Sequence, residues 1–575
     1  MRLSSIKVQN FRNLRDVQVP LRPGTVVVGE NASGKSNLLY ALRLALDPSL
    51  PSSERRLRAE DFSDTLGEGE EAYDPLVAGA EIEIAVEFED IGSDAKALAL
   101  LGSSLIETDP LKARIVYRFA PRDSAESSSG RPAYDWKILG GPPESEEEVR
   151  GDLRRFLRVT VLSALRDVEG DIAYWRRSPL RPLLEAAAAE IDDDALRAVA
   201  QSVTIANSEV LELEPIKALT KAITARTTEL VGEERASPTS FGVAPSDPQR
   251  LLRTLRLFVD DASRPLSSAS LGALNILYLA LLQLSLDEEI RASDAAHIVL
   301  GIEEPEAHLH PHAQRLVFAD VLRQPPGREQ SVIVTTHSPH IVSVSPPQNL
   351  IVLRSTGGEV QVGVAAEADL TPVEWDDIGR YLDATRGELV FARRVLLVEG
   401  FAEAVMLPKL AADASIDLDK AGVSVCAIHG THFAAYARYL SALGTPWALI
   451  TDGDPGENGR AGERRATKLR ERLGLEGEPE EHGIFVGQDT FESDLASQNE
   501  SNGKIAADVL GTWKWGTANR ELVAAWKEHG VADMKSYMEC VESVGKGRFA
   551  QRLAGAKGRL ATPGYIIAAL DYLIE

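Results

Sequence analysis

Cysteine is nearly absent from this sequence: Cys426 and Cys540 are the only two among 575 residues. That excludes a disulfide framework and points to a reducing compartment. A signal-peptide core is missing too, since Met1–Ile6 runs straight into an alternating strand pattern. No apolar run reaches the length expected of a membrane span, and the longest, Ile276–Leu284, is broken by Gln283 and Asp287. Repeats of fixed period and low-complexity tracts are also absent. A soluble, cytoplasmic protein is expected. Positive charge is in deficit as well. With 62 Lys and Arg against 87 Asp and Glu, the net charge of −25 argues against adherence to nucleic acid over the whole surface. That balance is still compatible with a local basic groove. Lys546, Arg548, Arg552, Lys557 and Arg559 form a basic cluster that reads either as such a groove or as a solvated helix face.

What is present is ordinary in bulk: hydrophobic residues at 44% and charged residues at 26% sit near globular averages. The length offers roughly four domains' worth of chain. Residues 1 to 150 read as strands with one helix. Ile6–Phe11 and Thr25–Val28 are strand-like, and Ser36–Leu46 has helical apolar spacing. Ala80–Phe88 and Ala113–Phe119 alternate as strands with one wet face do. Ser124–Arg131 and Gly140–Glu148 are expected loops. Pro182–Ala189, Asp194–Val203 and Leu211–Val231 read as helices, an excursion that either pairs with a second copy or folds on its own chain. A change of unit is expected near Arg386-Gly387, after which strands and helices alternate to the end.

Two groups of motifs carry chemistry. In the first, Gly29-Glu30-Asn31-Ala32-Ser33-Gly34-Lys35-Ser36 follows a strand and precedes a helix, as a phosphate-binding loop does. Gly29, Asn31 and Gly34 lie where backbone N–H groups would close around phosphate, Lys35 would neutralise it, and Ser36 would hold Mg²⁺. Far downstream the apolar run His297–Ile302 ends in Glu303-Glu304-Pro305-Glu306. There Glu303 would join the Mg²⁺ shell and Glu304 would orient or activate the attacking water. Ser331–Thr336 is a further strand, ending at His337, which is placed to sense the γ-phosphate. His308, His310 and His312 lack Cys or a second cluster, so a turn at a dimer face is expected there rather than zinc.

In the second group, Val395–Val398 is a buried strand closed by Glu399, and Glu403 follows one helical turn on. Val423–Ile428 is the next strand, closed by His429-Gly430. Pro446–Thr451 is another, closed by Asp452-Gly453-Asp454. Acids at the carboxyl ends of neighbouring parallel strands converge on one crevice. Four of them would repel unless cations neutralise them, and Mg²⁺ or Mn²⁺ suits such oxygen ligands.

Val8–Leu14, the phosphate loop, Glu303–Pro311 and Thr336-His337-Ser338 together resemble the ABC-type ATPase heads of RecF, SMC and OLD (overcoming lysogenisation defect) proteins. Such heads close around two ATP molecules, each completed in trans by a signature segment. The matching segment here is Ser270-Leu271-Gly272-Ala273-Leu274-Asn275, which implies that Ser270 and Gly272 contact nucleotide. One departure stands out: no Gln lies between Gln18 and Gln201, so the γ-phosphate-sensing glutamine is missing. Asp61 is a candidate neighbour, and binding is expected to matter more than turnover.

The acids, in their order, are similar to the Toprim fold of topoisomerases, primases and OLD nucleases. Glu492, in Gly487–Leu495, resembles the later acidic motif of OLD nucleases, and Lys546, in Gly545–Ala550, resembles their essential basic residue. The resemblance implies phosphodiester hydrolysis with two metal ions held by Glu399, Glu403, Asp452, Asp454 and Glu492, with Lys546 offsetting charge. It implies an α/β chain: an ABC-type ATPase head (1–168 and 241–388) with a helical dimerisation insert (169–240), then a C-terminal Toprim domain (389–575). The acidic set fits the OLD class that includes the nuclease subunit of the Gabija anti-phage system. That implies a homodimer or higher assembly, ATP, DNA as substrate and a UvrD-like helicase partner. The competing expectation is a RecF-like, ATP-gated DNA clamp with an idle Toprim domain.

Overall fold

In the computed structural model the chain is described except at residues 68–72, 93–94, 127–131, 150, 165–166, 232–240, 242–252, 254, 260–263, 293–294, 324–328, 384–385, 457–458 and 575. It divides into two compact units. The larger comprises Met1–Ala164, His297–Glu306 and His310–Glu575, and the smaller Leu165–Ala296 with Ala307–Leu309.

Among the described residues, three large sheets and the short pair Pro455–Gly456 and Gly459–Arg460 belong to the larger unit. The first is antiparallel and carries the alternating segments: Leu14–Pro20, Arg2–Phe11, Ile82–Glu89, Leu111–Glu126, Pro132–Gly140 and Glu147–Glu148 in that order, with Leu105–Thr108 beside Leu111–Glu126. The second orders Glu359–Val364, Leu350–Thr356, Thr25–Gly29, Gln330–Thr335, His297–Glu303 and Leu157–Leu162, all parallel except its first strand. Its central strands are buried from end to end, which is why they read as continuous apolar runs rather than alternations. The third sheet is parallel, in the order Val423–Ala427, Arg394–Val398, Trp447–Thr451, Ile484–Val486. From Arg394–Val398 the chain goes first to one neighbour and later to the other. The strand order therefore reverses there, leaving a crevice at the carboxyl ends of Arg394–Val398 and Trp447–Thr451.

Helices Phe401–Asp413, Phe491–Ser497, Glu500–Leu510, Met534–Val544, Lys546–Ala554 and Gly564–Ile574 close over this sheet. Leu396, Met406, Leu410, Phe491, Phe549 and Leu570 lie in one buried cluster beneath them.

The smaller unit is helical. Leu180–Ala189 and Val168–Ala173 pack on the long helix Leu271–Arg291, and Asp193–Leu211 pairs with Glu214–Val231.

Four sequence expectations need correction. Ser124–Glu126 continues a strand, and the rest of the expected loop to Arg131 lies outside the described residues, as does the end of the insert at 240. The loop expected over Gly140–Glu148 contains the short strand Glu147–Glu148, which pairs back on Leu139 and Gly140. The helix read as Asp194–Val203 extends to Leu211, because polar Ser202 and Thr204 interrupt its apolar pattern without breaking the backbone ladder. Finally, Leu271–Arg291 is, among the described residues, one helix long and apolar enough by length and composition to cross a membrane. Gln283 did not interrupt it, since a helix tolerates a polar residue on a free face. Its Leu274, Tyr278, Leu282 and Leu286 are buried within the small unit.

Candidate nucleotide and carboxylate sites

The phosphate loop joins the buried strand Thr25–Gly29 to the helix Lys35–Leu46. Gly34 is left-handed at φ 97°, and a Cβ there would come within 2.9 Å of the Leu14 side chain, so the turn into the helix demands glycine. Lys35 is buried, and its Nζ donates to the carbonyls of Gly29 and Glu30, both at 2.9 Å. Burial lowers its ammonium pKa, against the opposing pull of Glu304, Glu306 and Glu303. The Ser36 hydroxyl donates to Glu303, so the residue expected to hold Mg²⁺ already meets its acidic partner. The Ser33 hydroxyl is buried without a partner among the described residues. A lysine whose hydrogen bonds among the described residues go to carbonyls and a buried hydroxyl without a partner, both at the start of a helix, together fit a phosphate ligand.

The loop is braced from outside. Asn13 donates to the Ala32 carbonyl at 2.9 Å, and Asn37 donates to Asn13 at 2.8 Å. Arg12 lies over the rings of Phe11 and Tyr40 and reaches both Asn37 and Asp61. Among the described residues, the hydrogen-bonded link from Asp61 to the loop helix runs through Arg12. Asn31, also expected at the phosphate, makes no hydrogen bond among the described residues. His337 stands with its Nε2 3.4 Å from Glu304 Oε1. Sequence reasoning gave Glu306 no role, yet its carboxylate accepts from the Thr336 hydroxyl at 2.8 Å and the His337 N–H at 2.7 Å. The clue was its place three residues after Glu303, on the far side of Pro305. In the smaller unit, Ser270 caps the helix Leu271–Arg291 by accepting from the Ala273 N–H at 3.3 Å. Gly272 lets the His308 carbonyl approach, since a Cβ would meet it at 2.7 Å. His310 caps Pro311–Val321. No three His, Cys, Asp or Glu side chains among the described residues are grouped to hold a metal, at these histidines or elsewhere.

The carboxylate crevice lies at the strand ends. Glu399 directs one oxygen, Oε1, to the Thr451 hydroxyl, the Asp452 N–H at 3.1 Å and Arg465 at 3.4 Å. Asp452 Oδ1 accepts from the Phe491 N–H at 2.9 Å, at the start of the helix that carries Glu492. Burial, reinforced by Glu399, Glu403, Glu492 and Asp454, pushes the Asp452 carboxyl up to about 8. Burial likewise pushes Glu403 up to about 7, its own backbone N–H opposing and Glu492 and Glu399 adding to the rise. Lys546 sits 3.1 Å from buried Glu492. Although burial acts to depress it, Glu492, Asp452 and Glu403 hold the Lys546 ammonium above its ordinary value. Asp452 thus lies within electrostatic reach of the other five sequence-derived residues: Glu399, Glu403, Glu492, Asp454 and Lys546. Asp494, not singled out, accepts from the Gln488 and Asp489 N–H groups at 2.8 and 2.9 Å and shapes the loop above the site. Arg465 was missed altogether. Its donor fork spans Asp454 and Glu399, but an arginine within a charged helix has no local signature. The donor set is all oxygen and rich in negative charge, which fits hard divalent cations such as Mg²⁺ or Mn²⁺. In this structure the side chains are held by Arg465, Lys546 and backbone N–H groups rather than drawn together as a ready cage.

Residues 25–343 match the family described as "AAA domain, putative AbiEii toxin, Type IV TA system", and residues 390–454 match "Overcoming lysogenization defect protein-like, TOPRIM domain". The OLD nuclease of Thermus scotoductus is 25% identical over 79% of this chain and 82% of its own length. Endonuclease GajA of Bacillus cereus is 22% identical over 79% of this chain and 75% of its own. The solved C-terminal region of the Burkholderia pseudomallei OLD protein is 32% identical, spanning 32% of this chain and 98% of that one, at a TM-score of 0.30. The match over more than half its length places the chain in that AAA-domain family, and with its OLD-like TOPRIM domain it is a member of the OLD nuclease family.

Proposed function

We propose that the chain is an ATP-binding, divalent-metal-dependent DNA endonuclease or nickase, cytoplasmic and active in phage defence or DNA processing. The observation that supports it best is the crowding of Glu399, Glu403, Asp452, Asp454 and Glu492 at one crevice, with two carboxyls pushed up to about 7 and 8. Clustered acids that cost this much to ionise have a use where cations compensate them. Mg²⁺ or Mn²⁺, two ions when bound, would supply Lewis-acid polarisation of a phosphodiester and of water. Glu399, Glu403, Asp452, Asp454 and Glu492 would hold them. Lys546 would offset charge that develops on the phosphate, and Asp452 and Glu403 can each hold a proton near neutral pH.

At the other site Gly29, Asn31, Gly34, Lys35 and Ser36 would bind ATP with Mg²⁺ on Ser36 and Glu303. Glu304 would act on the attacking water, His337 would sense the γ-phosphate, and Ser270 and Gly272 of a second copy would complete the site. The division into ATPase head (1–168 and 241–388), insert (169–240) and Toprim domain (389–575) belongs to this reading. A homodimer is supported by exposed Leu219, Ile223 and Leu230, spaced along one face of Glu214–Val231 and 38% to 69% exposed. A UvrD-like helicase encoded beside it is a further partner on the Gabija analogy.

Cleavage of supercoiled plasmid with Mg²⁺ or Mn²⁺, with and without ATP, tests the reading. Metal-dependent nicking lost in Glu399→Ala is the expected result, and Lys35→Ala reads the sign of ATP control. DNA binding without cleavage under every condition would favour the clamp.

A further inference from the structure

We infer that Arg465 is a positioning residue that presents Glu399 and Asp454 to a divalent cation, an inference that rests on the metal-site reading above. Arg465 lies in the helix Ala461–Arg472, which can reach the crevice only because of a close backbone contact. A Cβ on Gly462 would stand 2.2 Å from the Asp452 carbonyl, and the Gly462 N–H donates to the Gly453 carbonyl at 2.8 Å. That contact brings Arg465, one turn later, onto the acids. Its Nη1 donates to Asp454 Oδ2 at 2.7 Å, while Nη2 donates to the Asp452 carbonyl at 2.7 Å and the Thr451 hydroxyl at 3.1 Å, with Glu399 Oε1 at 3.4 Å.

The pattern is selective by oxygen. Every donor to Glu399 converges on Oε1, and Asp454 is held through Oδ2, so Oε2 and Oδ1 accept nothing among the described residues. One oxygen of each acid is fixed and the other is left for a ligand. Asp454 also has a left-handed backbone, φ 42°, which persists in a non-glycine residue only where its surroundings over-determine it. The Arg465 fork supplies part of that constraint. A role in gripping DNA phosphate fits the geometry poorly, because both terminal nitrogens are committed to protein oxygens and Nε is buried. A guanidinium bridging two anions in fixed geometry is a task that the point charge of lysine fulfils only in part. Hydrogen-bond partners of metal ligands typically contribute about 10- to 100-fold in metal affinity or activity.

The test is calorimetric titration of the full-length protein with MnCl₂, without DNA, comparing wild type with Arg465→Ala, Arg465→Gln and Arg465→Lys. Arg465→Ala and Arg465→Gln should bind Mn²⁺ about 10- to 100-fold more weakly, with Arg465→Lys between them and wild type. In plasmid cleavage the Mn²⁺ concentration for half-maximal rate should rise by the same factor, while the rate at saturating Mn²⁺ falls less. ATP affinity and the melting curve report whether each variant folds, and a folded Arg465→Gln or Arg465→Lys suffices if Arg465→Ala does not fold. Unchanged Mn²⁺ affinity overturns the inference. Tighter binding also overturns it, since Arg465 would then compete with the ion. If wild type binds Mn²⁺ in this Arg465-dependent way yet never cuts DNA, the nuclease reading falls and the positioning role stands.

Discussion

In the phosphate loop a single buried lysine is surrounded by two backbone carbonyls and three glutamates; in the carboxylate crevice five acids face Lys546 and Arg465. The first site has a cation whose hydrogen-bond partners are neutral carbonyl oxygens, with the glutamates acting on it through space, so an incoming anion replaces weak acceptors with strong ones. The second has an excess of anions, so an incoming cation relieves repulsion that the protein itself created. The first thus offers a hydrogen-bond donor to an anion, and the second an excess of acceptors to a cation. On the proposed reading, one chain would bind a nucleotide and a metal ion without either ligand competing for the other's residues.

The sharpest way to break this comparison is to cross the substitutions. Lys35→Ala should weaken ATP binding on the order of 100-fold while leaving Mn²⁺ binding at the crevice intact. Glu399→Ala or Asp452→Ala should reduce plasmid cleavage more than about 100-fold with ATP affinity unchanged, since direct ligands exceed their supports in effect. Calorimetry with each ligand on each variant reads all four combinations. If Lys35→Ala abolished Mn²⁺ binding, the sites would not be independent.

The crevice should also be the pH-sensitive one. Asp452 and Glu403 have folded-state pKa values near 8 and 7, raised from 3.8 and 4.5. Between the unfolded and folded values the folded chain binds more protons, so stability falls as pH rises. That contribution is complete below about pH 4 and is lost by about pH 8. Metal binding needs the deprotonated acids and strengthens over the same interval. Without metal, the melting temperature should decline between pH 6 and 8, and Mn²⁺ should restore more of it at pH 8 than at pH 6. A metal-induced shift that is independent of pH would contradict the crowding.

The contrast also explains what was legible in the sequence. The phosphate loop is contiguous, so strand, turn and helix could be read from Thr25 to Leu46 in one pass. Glu399 and Asp452 were legible because each ends an apolar strand, and the order of those strands brings them together. Arg465, Asp494 and Glu306 were not, because their work depends on close approaches across the fold. Gly462 against the Asp452 carbonyl and the Asp494 carboxylate against two N–H groups leave no periodic trace. Helix ends were misread for a related reason: Asp193–Leu211 is held by its ladder, although its apolar spacing lapses.

Asp494 offers a smaller test. It is buried and accepts two backbone N–H groups in the loop over the crevice. Asp494→Ala would remove the acceptor of both donors, at a cost of about 1–3 kcal/mol in all, since the exposed Gln488 can turn to water. Thermal melting should show that loss, with Mn²⁺ affinity moving less than in Arg465→Ala. The opposite ranking would make Asp494, rather than Arg465, the support of the metal site.

The weakest effects on stability are expected where the two sites are joined. Arg354, on the strand beside the phosphate-loop strand, donates to the Ala392 carbonyl at 3.0 Å and the Thr445 hydroxyl at 2.6 Å, both flanking the acidic sheet. Arg393 reaches the Glu30 carboxylate with Nη2 at 3.0 Å, just before the strand that ends at Glu399. The first contact is partly buried and the second is exposed, with side chains 61% and 50% accessible. Arg354→Ala should lower the melting temperature measurably, because buried acceptors lose their donor. Arg393→Ala should leave it unchanged, as exposed ion pairs generally do. Glu30, however, also lends its carbonyl to Lys35. A phosphate that draws Lys35 away would act on the same residue that holds Arg393. Arg393→Ala should therefore change how cleavage responds to ATP while thermal stability stays the same. An unchanged ATP response would leave the Arg354 contacts as the connection between the two sites.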